Sequence, residues 1–315
     1  MSVSLRNKRI WVAGHGGLVG GALVRRLQAE GAQLLLVDRK TLDLREQAAT
    51  DAWVRSQQPD AIIMAAATVG GIDANRTRPA DFLYDNMMMA ANVIHAAAGR
   101  GVSKLLFLGS SCIYPRDTAQ PITPDALLSG PLEPTNEAYA IAKIAGVKLC
   151  QSYRVQHGCD FIAAMPCNLY GPGDRFDLAG SHVIPAMMMK FHQARLRGDF
   201  SVTLWGTGTP LREFLHVDDL AAGLVTLLQD YSDAAPVNIG PGSEISISNL
   251  ASLMAEITGY SGAIHFDSAM PDGVPRKILD SAILRQMGWA PAIGLRDGLA
   301  ATYDWYCKAG SSRAA

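Results

Sequence analysis

Short apolar runs and helical stripes alternate over the first half of the chain. The runs are almost entirely apolar and occupy residues 9–13, 33–37, 61–66, 105–108 and 161–165. Because apolar and polar residues do not alternate within them, both faces of each run must be buried. Strands that are buried on both faces and separated by helices form parallel sheets covered by helices on either side. The pattern predicts an α/β fold built on a doubly wound parallel sheet.

The helical segments between these runs are predicted at residues 18–30, 48–56, 81–99 and 136–153. After about residue 170 the order becomes less regular, with helices expected at 182–196, 218–228 and 247–258 and a strand at 202–205. We therefore predict a dinucleotide-binding domain over residues 1–170, to which later segments return. A smaller α/β substrate-binding lobe is predicted over residues 171–315.

The charge balance and the cysteines argue against several classes of protein. The 315 residues carry 28 basic and 29 acidic side chains, a formal net charge of −1, which disfavours nucleic-acid binding. No apolar segment approaches the roughly 20 residues that span a bilayer, so no membrane contact is expected. Five cysteines at irregular spacing predict reduced thiols and a cytoplasmic protein. No motif has metal-ligand spacing, and no metal site is expected.

Three glycines follow the first apolar run at a spacing that suits a dinucleotide. Gly14, Gly17 and Gly20 lie in AGHGGLVG, between the first predicted strand and the first predicted helix. The turn must be tight, and its backbone must approach a pyrophosphate without a Cβ in the way. The helix N-terminus then offers free N–H groups to the phosphates. The pattern indicates a Rossmann-type sheet whose cofactor loop comprises Gly14, His15, Gly16, Gly17, Leu18, Val19 and Gly20.

The end of the second predicted strand carries residues that favour two different cofactors. Asp38 would accept hydrogen bonds from the adenosine ribose and repel a 2′-phosphate, which favours NAD. Arg39 and Lys40 follow at once and would bind that phosphate, which favours NADP. Asp43 and Leu44 are expected beside the adenine, although Asp43 would equally serve as a helix N-cap.

A serine, a tyrosine and a lysine form a candidate catalytic group. Tyr139 and Lys143 are four residues apart on a predicted helix, and therefore lie on one face. A nearby lysine lowers the pKa of a tyrosine and helps it pass a proton to a carbonyl oxygen while hydride reaches the carbon. Ser110 follows the fourth predicted strand, at the edge where open α/β sheets bind ligands. Together the three residues predict a carbonyl reductase.

Several longer segments resemble the GDP-L-fucose synthase family of extended short-chain dehydrogenases/reductases. They include AGHGGLVG at 13–20, AAATVGGI at 65–72, LLFLGSSCIYP at 105–115, LEPTNEAYAIAKIAG at 132–146, SHVIPA at 181–186, WGTGTPLREFLHVDD at 205–219 and PDGVPRK at 271–277. The similarity covers most of the chain from residue 9 to about 305. It implies conversion of GDP-4-keto-6-deoxy-D-mannose to GDP-L-fucose with NADPH, by a homodimer paired through helices that include the one with Tyr139.

The resemblance also implies roles for individual residues. Cys112 is expected to be the base and His182 the acid that epimerise C3 and C5 of one keto-sugar, before Tyr139 completes the reduction at C4. Further cofactor contacts are implied for Leu108, Gly109, Lys143, Pro166, Asn168, Leu169 and His182. The GDP-sugar is expected to contact Val183, Lys190, Trp205, Arg212, Asp272 and Lys277.

The chain departs from the family at three positions in or beside the expected site. Gly16 stands where the family commonly has an arginine that binds the 2′-phosphate of NADP, so NAD remains open beside NADP. Lys190 replaces an arginine, and Cys167 replaces a threonine. These changes leave open a related GDP-keto-sugar of the colitose or 6-deoxy-heptose branch, or a 4-ketoreductase without epimerase activity. A non-catalytic dinucleotide-sensing protein is disfavoured because Ser110, Tyr139 and Lys143 are all present.

Overall fold

The computed structural model describes residues 3–177, 181–270 and 272–313. Its strands are β1 (Arg9–Ala13), β2 (Gln33–Leu35), β3 (Ala61–Met64), β4 (Lys104–Leu108), β5 (Phe161–Pro166), β6 (Asn168–Tyr170), β7 (Ser201–Trp205), β8 (Leu211–Arg212), β9 (Phe214–His216), β10 (Val237–Ile239), β11 (Ile245–Ser246), β12 (Ala263–Asp267) and β13 (Arg276–Lys277). Its α-helices are α1 (Leu18–Ala29), α2 (Gln47–Gln57), α3 (Ile72–Thr77), α4 (Pro79–Gly99), α5 (Glu137–His157), α6 (Val183–Arg197), α7 (Val217–Asp230), α8 (Ile247–Thr258), α9 (Ala282–Gln286) and α10 (Leu295–Arg313).

Six strands form the central sheet in the order β10-β5-β4-β3-β1-β2, and every neighbouring pair is parallel. The chain leaves β1 toward β2 on one side and returns to place β3 on the other side of β1. The order of the strands therefore reverses between β1 and β3, and ligands bind at such switch points in doubly wound sheets. The predicted α/β fold with a Rossmann-type sheet is confirmed.

Two separate hydrophobic clusters fill the interior. The larger one lies around the central sheet and also takes in Leu215 to Leu228, β10, Leu279 and Trp289. The smaller one joins α6, β7, α8 and α10 through residues such as Phe191, Met254 and Tyr303. Segments beyond residue 170 thus pack on the first cluster as well as on the second. The assignment of residues 1–170 and 171–315 to two functional domains stays a prediction.

Small sheets carry the chain from the central sheet into the second cluster. β6 pairs in parallel with β9, and β7 pairs in parallel with β12. β8 lies between β11 and β13, so Arg212 on β8 stands opposite Lys277 on β13. These short pairs position the residues that the sequence assigns to the nucleotide-sugar.

In the part of the chain that the structure describes, every helix is too short or too polar to cross a bilayer. Within the same residues, no three side chains of His, Cys, Asp or Glu gather in a way that would hold a metal ion. None of the five cysteines, all within the described residues, forms a disulfide.

Candidate active site

The turn after β1 has a backbone that only glycines allow. Gly14 has a φ of 90°, and a Cβ built on it would lie 2.6 Å from the backbone nitrogen of Ala66, which follows β3. A Cβ on Gly20 would overlap the carbonyl of Gly14, whereas Gly16 has open space around it. Gly17 precedes α1 without a side-chain cap, so the first N–H groups of α1 remain available. This cradle lies at the switch point and fits a pyrophosphate.

The adenosine side of the turn holds an acid and several bases. Nε2 of His15 lies 3.4 Å from a carboxylate oxygen of Asp38, while its Nδ1 is buried without a hydrogen-bond partner. The Asp38 side chain is 79% exposed, and Arg39 and Lys40 beside it are exposed as well. The carboxylate of Asp38 can therefore accept a hydrogen bond from a ribose hydroxyl, and the cationic side chains of Arg39 and Lys40 can bind a phosphate. The geometry is compatible with either dinucleotide.

Asp43 and Leu44 lie in the segment between β2 and α2. Leu44 is buried, and Asp43 is ion-paired with Arg45. Hydrogen bonds from Arg45 hold the pKa of Asp43 at about 2, so the side chain is ionised at neutral pH. The N-cap of α2 is Glu46, not Asp43.

The structure brings Ser110, Cys112, Tyr139 and Lys143 together where β4 ends and α5 begins. Oγ of Ser110 accepts a hydrogen bond from the backbone N–H of Cys112 at 3.2 Å, and caps the 3₁₀ turn Ser111–Ile113. The same serine hydrogen-bonds Tyr139, and Cys112 is close enough to raise the pKa of that tyrosine. Nζ of Lys143 donates to the carbonyl of Leu108 at 2.8 Å and lies 5.8 Å from the centre of the Tyr139 ring.

Burial controls the protonation of this group. It raises the pKa of Tyr139 well above the usual value, although the hydrogen bond with Ser110 works in the opposite direction. The lowering by Lys143 that the sequence led us to expect is absent, because desolvation is the largest effect on the phenol. Burial also lowers the pKa of Lys143 to about 8. Tyr139 therefore keeps its proton at neutral pH, which suits a residue that must donate one to a ketone.

Cys112 follows β4, in the 3₁₀ turn Ser111–Ile113. The Cys112 side chain is half-buried, and Ser110 caps the turn in which it lies. Burial raises the pKa of Cys150, Cys159 and Cys167, which keeps those thiols protonated. Cys112 is the thiol that lies beside Ser110 and Tyr139.

His182 is the N-cap residue of α6, but its side chain makes no capping hydrogen bond. The imidazole is thus free for another role, and desolvation lowers its pKa below the usual value. It is neutral at physiological pH and must gain a proton before it can donate one. Val183 begins α6, and Lys190 donates to the carbonyl of Thr203 on β7 at 3.3 Å. A position of His182 opposite Cys112 across the substrate stays a prediction.

The residues assigned to the nucleotide-sugar gather around β7, β8 and β13. Trp205 is 59% exposed, and so does not serve to fill the interior. The next residue, Gly206, packs so closely on Asp272 that a side chain there would overlap the carboxylate. Asp272 accepts hydrogen bonds from the N–H and hydroxyl of Thr207 at 2.7 and 2.8 Å. Burial lowers the pKa of Arg212, and Asp272 opposes that shift.

Lys277 lies beside Arg212 in this arrangement through the pairing of β13 with β8. Two cations and an exposed indole ring in this region offer charge and a stacking surface, a combination that would suit a nucleoside diphosphate. Pro271, the first residue of PDGVPRK, lies outside the described residues.

The remaining predicted cofactor residues lie at the carboxyl ends of β4 and β5. Leu108 ends β4, and Gly109 packs against Met165, where a Cβ would approach its sulfur to 2.8 Å. Pro166 ends β5, and the β6 residue Asn168 donates to the carbonyl of Glu213 at 3.1 Å. Leu169 follows Asn168 on β6. This is the edge of the sheet to which the glycine turn also belongs.

Phe82 is a site residue that the sequence analysis did not single out. It is fully buried on α4, and its ring meets Tyr139 edge to face with centroids 6.4 Å apart. Gly70 packs on the same ring, since a Cβ there would lie 3.2 Å from it. An apolar residue within a helical stripe gives no sign of such a role, because the same pattern describes any core position.

Comparison with known proteins places the chain among nucleotide-sugar enzymes. The model of the NAD dependent epimerase/dehydratase family matches residues 10–240. The GDP-L-fucose synthase 1 of Arabidopsis thaliana is 54% identical over 308 residues, 98% of this chain and 95% of the relative. The GDP-L-fucose synthase of Escherichia coli (strain K12) is 47% identical over 312 residues, 96% and 97% of the two chains. A GDP-L-colitose synthase of Yersinia pseudotuberculosis is 36% identical over 300 residues, 95% and 97% of the two chains.

Solved structures of GDP-sugar enzymes have a fold similar to that of this chain. The crystal structure of a GDP-L-fucose synthetase from Naegleria fowleri bound to NADP has a TM-score of 0.91 and 27% identity, covering 99% of this chain and 98% of that chain. A GDP-6-OMe-4-keto-L-xylo-heptose reductase from C. jejuni has a TM-score of 0.91 and 34% identity, covering 96% and 98%.

Proposed function

The chain belongs to the NAD dependent epimerase/dehydratase family, and on that premise we propose that it converts GDP-4-keto-6-deoxy-D-mannose to GDP-L-fucose with NADPH. The observation that carries the proposal is the meeting of Ser110, Cys112, Tyr139 and Lys143 at the end of β4. A plain reductase needs the serine, tyrosine and lysine, and has no use for a thiol beside them. The relatives that are 54% and 47% identical are GDP-L-fucose synthases, which supports the same reaction.

The residues that would hold the dinucleotide fit it well. The glycine turn and the N-terminus of α1 would hold the pyrophosphate, and Asp38, Arg39 and Lys40 would bind the adenosine ribose and its phosphate. Lys143, on the same helix as Tyr139, would bind the nicotinamide ribose. When bound, the cofactor supplies a hydride to the substrate. NADP is favoured because a solved relative binds it, and the two bases beside Asp38 can bind its 2′-phosphate.

Epimerisation would use Cys112 and His182 on opposite faces of the sugar. The 4-keto group makes the hydrogens at C3 and C5 acidic, since proton removal gives an enolate whose charge Ser110 and Tyr139 can stabilise. Cys112, as a thiolate, would take the proton from one face, and His182, once it has gained a proton from solvent, would give one to the other face. Cys112 then loses its proton to solvent and His182 gains another, so that the same pair acts first at C3 and then at C5.

Reduction follows at C4 in the same site, with Tyr139 as the proton donor. The hydroxyls of Ser110 and Tyr139 hold the carbonyl oxygen, and Tyr139 gives that oxygen its proton as the carbon is reduced. The raised pKa of Tyr139 keeps this proton available at neutral pH. Lys143, on the same helix face, restores the charge balance when the phenolate forms.

A related GDP-keto-sugar is the second candidate substrate. A GDP-L-colitose synthase and a GDP-heptose reductase share 36% and 34% identity with the chain. The greater identity to the two GDP-L-fucose synthases favours the first proposal. A 4-ketoreductase without epimerase activity would leave Cys112 without a role.

A cytoplasmic homodimer is part of the proposal. Helices α4 and α5 pack side by side, and they expose apolar side chains that a second copy would cover, namely Tyr84, Met87, Ile141 and Val155. Five cysteines without a disulfide among them, all in the part of the chain that the structure describes, suit a reducing compartment.

Product identification tests the proposal. The purified protein is supplied with GDP-4-keto-6-deoxy-D-mannose and either NADPH or NADH, and the product is identified by NMR. We expect GDP-L-fucose, formed faster with NADPH. A 6-deoxy sugar that has been reduced at C4 but keeps the original configuration at C3 and C5 would contradict the epimerase half.

A further inference from the structure

Phe176 attaches the segment that follows β6, residues 171–177, to the last helix. The ring of Phe176 stacks on that of Tyr306 on α10, with centroids 4.6 Å apart and planes inclined by 27°. The ring of Trp305, the neighbouring residue on α10, has its centroid 6.0 Å from that of Phe176. Phe176 also packs on the smaller hydrophobic cluster. Because aromatic pairs favour a few defined geometries, the stack gives the segment a fixed point on α10.

Tyr306 is in turn held by α6. The ring of His192 on α6 meets it edge to face, with centroids 5.3 Å apart and planes inclined by 89°. Nδ1 of His192 lies 2.8 Å from the hydroxyl oxygen of Tyr303, three residues earlier on α10, which adds a second contact between the two helices. One tyrosine ring thus contacts both α6 and the segment that precedes α6 in the chain.

Ser181 connects this segment to the start of α6. Its hydroxyl donates to the carbonyl of Arg175 at 2.6 Å and accepts a hydrogen bond from the backbone N–H of Asp177 at 2.7 Å. These two residues stand on either side of Phe176 in the chain. Ser181 directly precedes His182, whose side chain makes no capping hydrogen bond to α6. The direction of the imidazole therefore depends on the backbone to which Ser181 belongs.

The contacts form a closed circuit around His182. Along one arm, His182 begins α6, and α6 reaches Tyr306 through His192. Along the other arm, Ser181 is tied to the residues beside Phe176, and Phe176 rests on the same tyrosine ring. Packing and hydrogen bonds of this kind hold a functional side chain within the narrow range of positions that its chemistry needs.

We propose that Phe176 is a positioning residue that acts through Ser181 to keep His182 where it can give a proton to the sugar. Proton donation to one face of a ring depends on distance and direction, and a displacement of about 1 Å can lower a rate about 100-fold. The binding of NADPH does not depend on this circuit. The inference rests on the proposed function, because it assigns Phe176 a part in the epimerisation.

The test replaces the ring and follows the epimerised product. Phe176→Ala is given GDP-4-keto-6-deoxy-D-mannose and NADPH, and GDP-L-fucose is quantified by NMR. We expect kcat for GDP-L-fucose to fall by about tenfold to 100-fold, while the KM of the GDP-sugar and the dissociation constant of NADPH change by less than about twofold. Ser181→Ala, which leaves the aromatic stack in place, should cause a loss in the same range.

A double variant tests whether Phe176 acts through the imidazole. Phe176→Ala combined with His182→Gln should form GDP-L-fucose at the rate of His182→Gln alone, because a residue that only positions His182 has nothing left to position. Phe176→Tyr keeps the stacking ring and should retain at least about half of the wild-type kcat.

A matched control comes from another aromatic pair of the same hydrophobic cluster. The ring of Tyr260 lies 5.4 Å, between centroids, from that of Phe191 on α6. Tyr260→Leu should lower the midpoint of thermal unfolding, as Phe176→Ala does, and keep kcat within about twofold of the wild type.

Three results would overturn the inference. They are an unchanged kcat in Phe176→Ala, an equal loss of kcat in Tyr260→Leu, and a double variant in which the two single losses multiply. If Phe176→Ala does not fold, a wild-type kcat in Ser181→Ala is the overturning result. Failure of the wild type to invert C3 and C5 would instead contradict the proposed function.

Discussion

Burial sets the chemistry of individual side chains at the end of β4. Tyr139 is kept protonated by desolvation, and Lys143, which is 4% exposed, is brought within reach of losing its proton in the neutral range. The acid and the cation that the proposed reaction needs thus share one helix face. The protonation of Lys143 can be tested by the pH dependence of cofactor binding, and the role proposed for Cys112 by isotope exchange.

The affinity for NADPH should fall above a pH of about 8. The ammonium of Lys143 loses its proton there, not near its usual 10.5, because burial disfavours the charged form. Below that pH the cation is present and binding is at its strongest; as the pH rises through it, the contribution is lost. Fluorescence titrations between about pH 6.5 and 9.5 measure the effect. Lys143→Met should bind more weakly with a flat profile, and a flat profile in the wild type would contradict the assignment.

Replacing the thiol should separate the two halves of the reaction. In Cys112→Ser we expect proton exchange at C3 and C5 of the substrate to fall by about 100-fold or more, because a serine hydroxyl is a far weaker base. The affinity for NADPH should change by less than about twofold, since the residue is not part of the cofactor cradle. Exchange in deuterated water is followed by NMR. The control is Cys150→Ala, a buried thiol on α5 that should leave exchange intact.

At the scale of elements, the closest packing lies at the glycine turn between β1 and α1. Gly14 touches the backbone after β3, and Gly20 touches Gly14, so three elements meet where the strand order reverses. A side chain at either position needs space that backbone atoms already fill. Gly16, four residues before Gly20, faces open space.

A methyl group should therefore be tolerated at one glycine and not at the other. Gly20→Ala should lower the free energy of unfolding by about 1–3 kcal/mol and raise the dissociation constant of NADPH at least about tenfold, since the turn must move. Gly16→Ala should change both only slightly. Denaturant unfolding and fluorescence titration give the two quantities. Equal effects of the two substitutions would show that close packing is not what the turn requires.

Most elements of the first half could be predicted because their signals are local. The helix predicted at 247–258 and the strand at 9–13 have the predicted bounds. The helix predicted to end at 153 continues to His157 and stops at Gly158, whose φ of 67° suits a glycine. The short strand β10 was not predicted, since three residues carry too little pattern and their place depends on pairing with β5.

At the scale of the whole molecule, the site depends on contacts between residues far apart in the sequence. Ser110 and Tyr139 were predictable because each lies in a sequence motif, and their contact follows from the parallel sheet. Two other contacts could not be predicted, because no local pattern links the residues that form them. They are the ion pair of Arg45 with Asp85 and the packing of Phe82 on Tyr139. The role proposed for Cys112 came from the family resemblance, because spacing alone does not indicate it.

The exposed apolar face of α4 and α5 should be the dimer contact. Ile141 on α5 is 44% exposed, and Ile141→Glu places a charge where a second copy would pack. We expect the variant to sediment as a monomer at concentrations where the wild type is a dimer. Leu196→Glu, an exposed apolar position on α6, is the control and should remain dimeric. A wild type that sediments as a monomer would contradict the proposed assembly.

Isotope incorporation during turnover tests the central claim most directly. The enzyme converts GDP-4-keto-6-deoxy-D-mannose with NADPH in deuterated water, and the deuterium content at each carbon of the product sugar is read by NMR. A thiol and an imidazole that act on both sides of one keto-sugar predict solvent deuterium at C3 and at C5, with the hydrogen at C4 coming from NADPH. Product that carries no solvent deuterium at C3 and C5 would contradict the account and leave a simple ketoreductase.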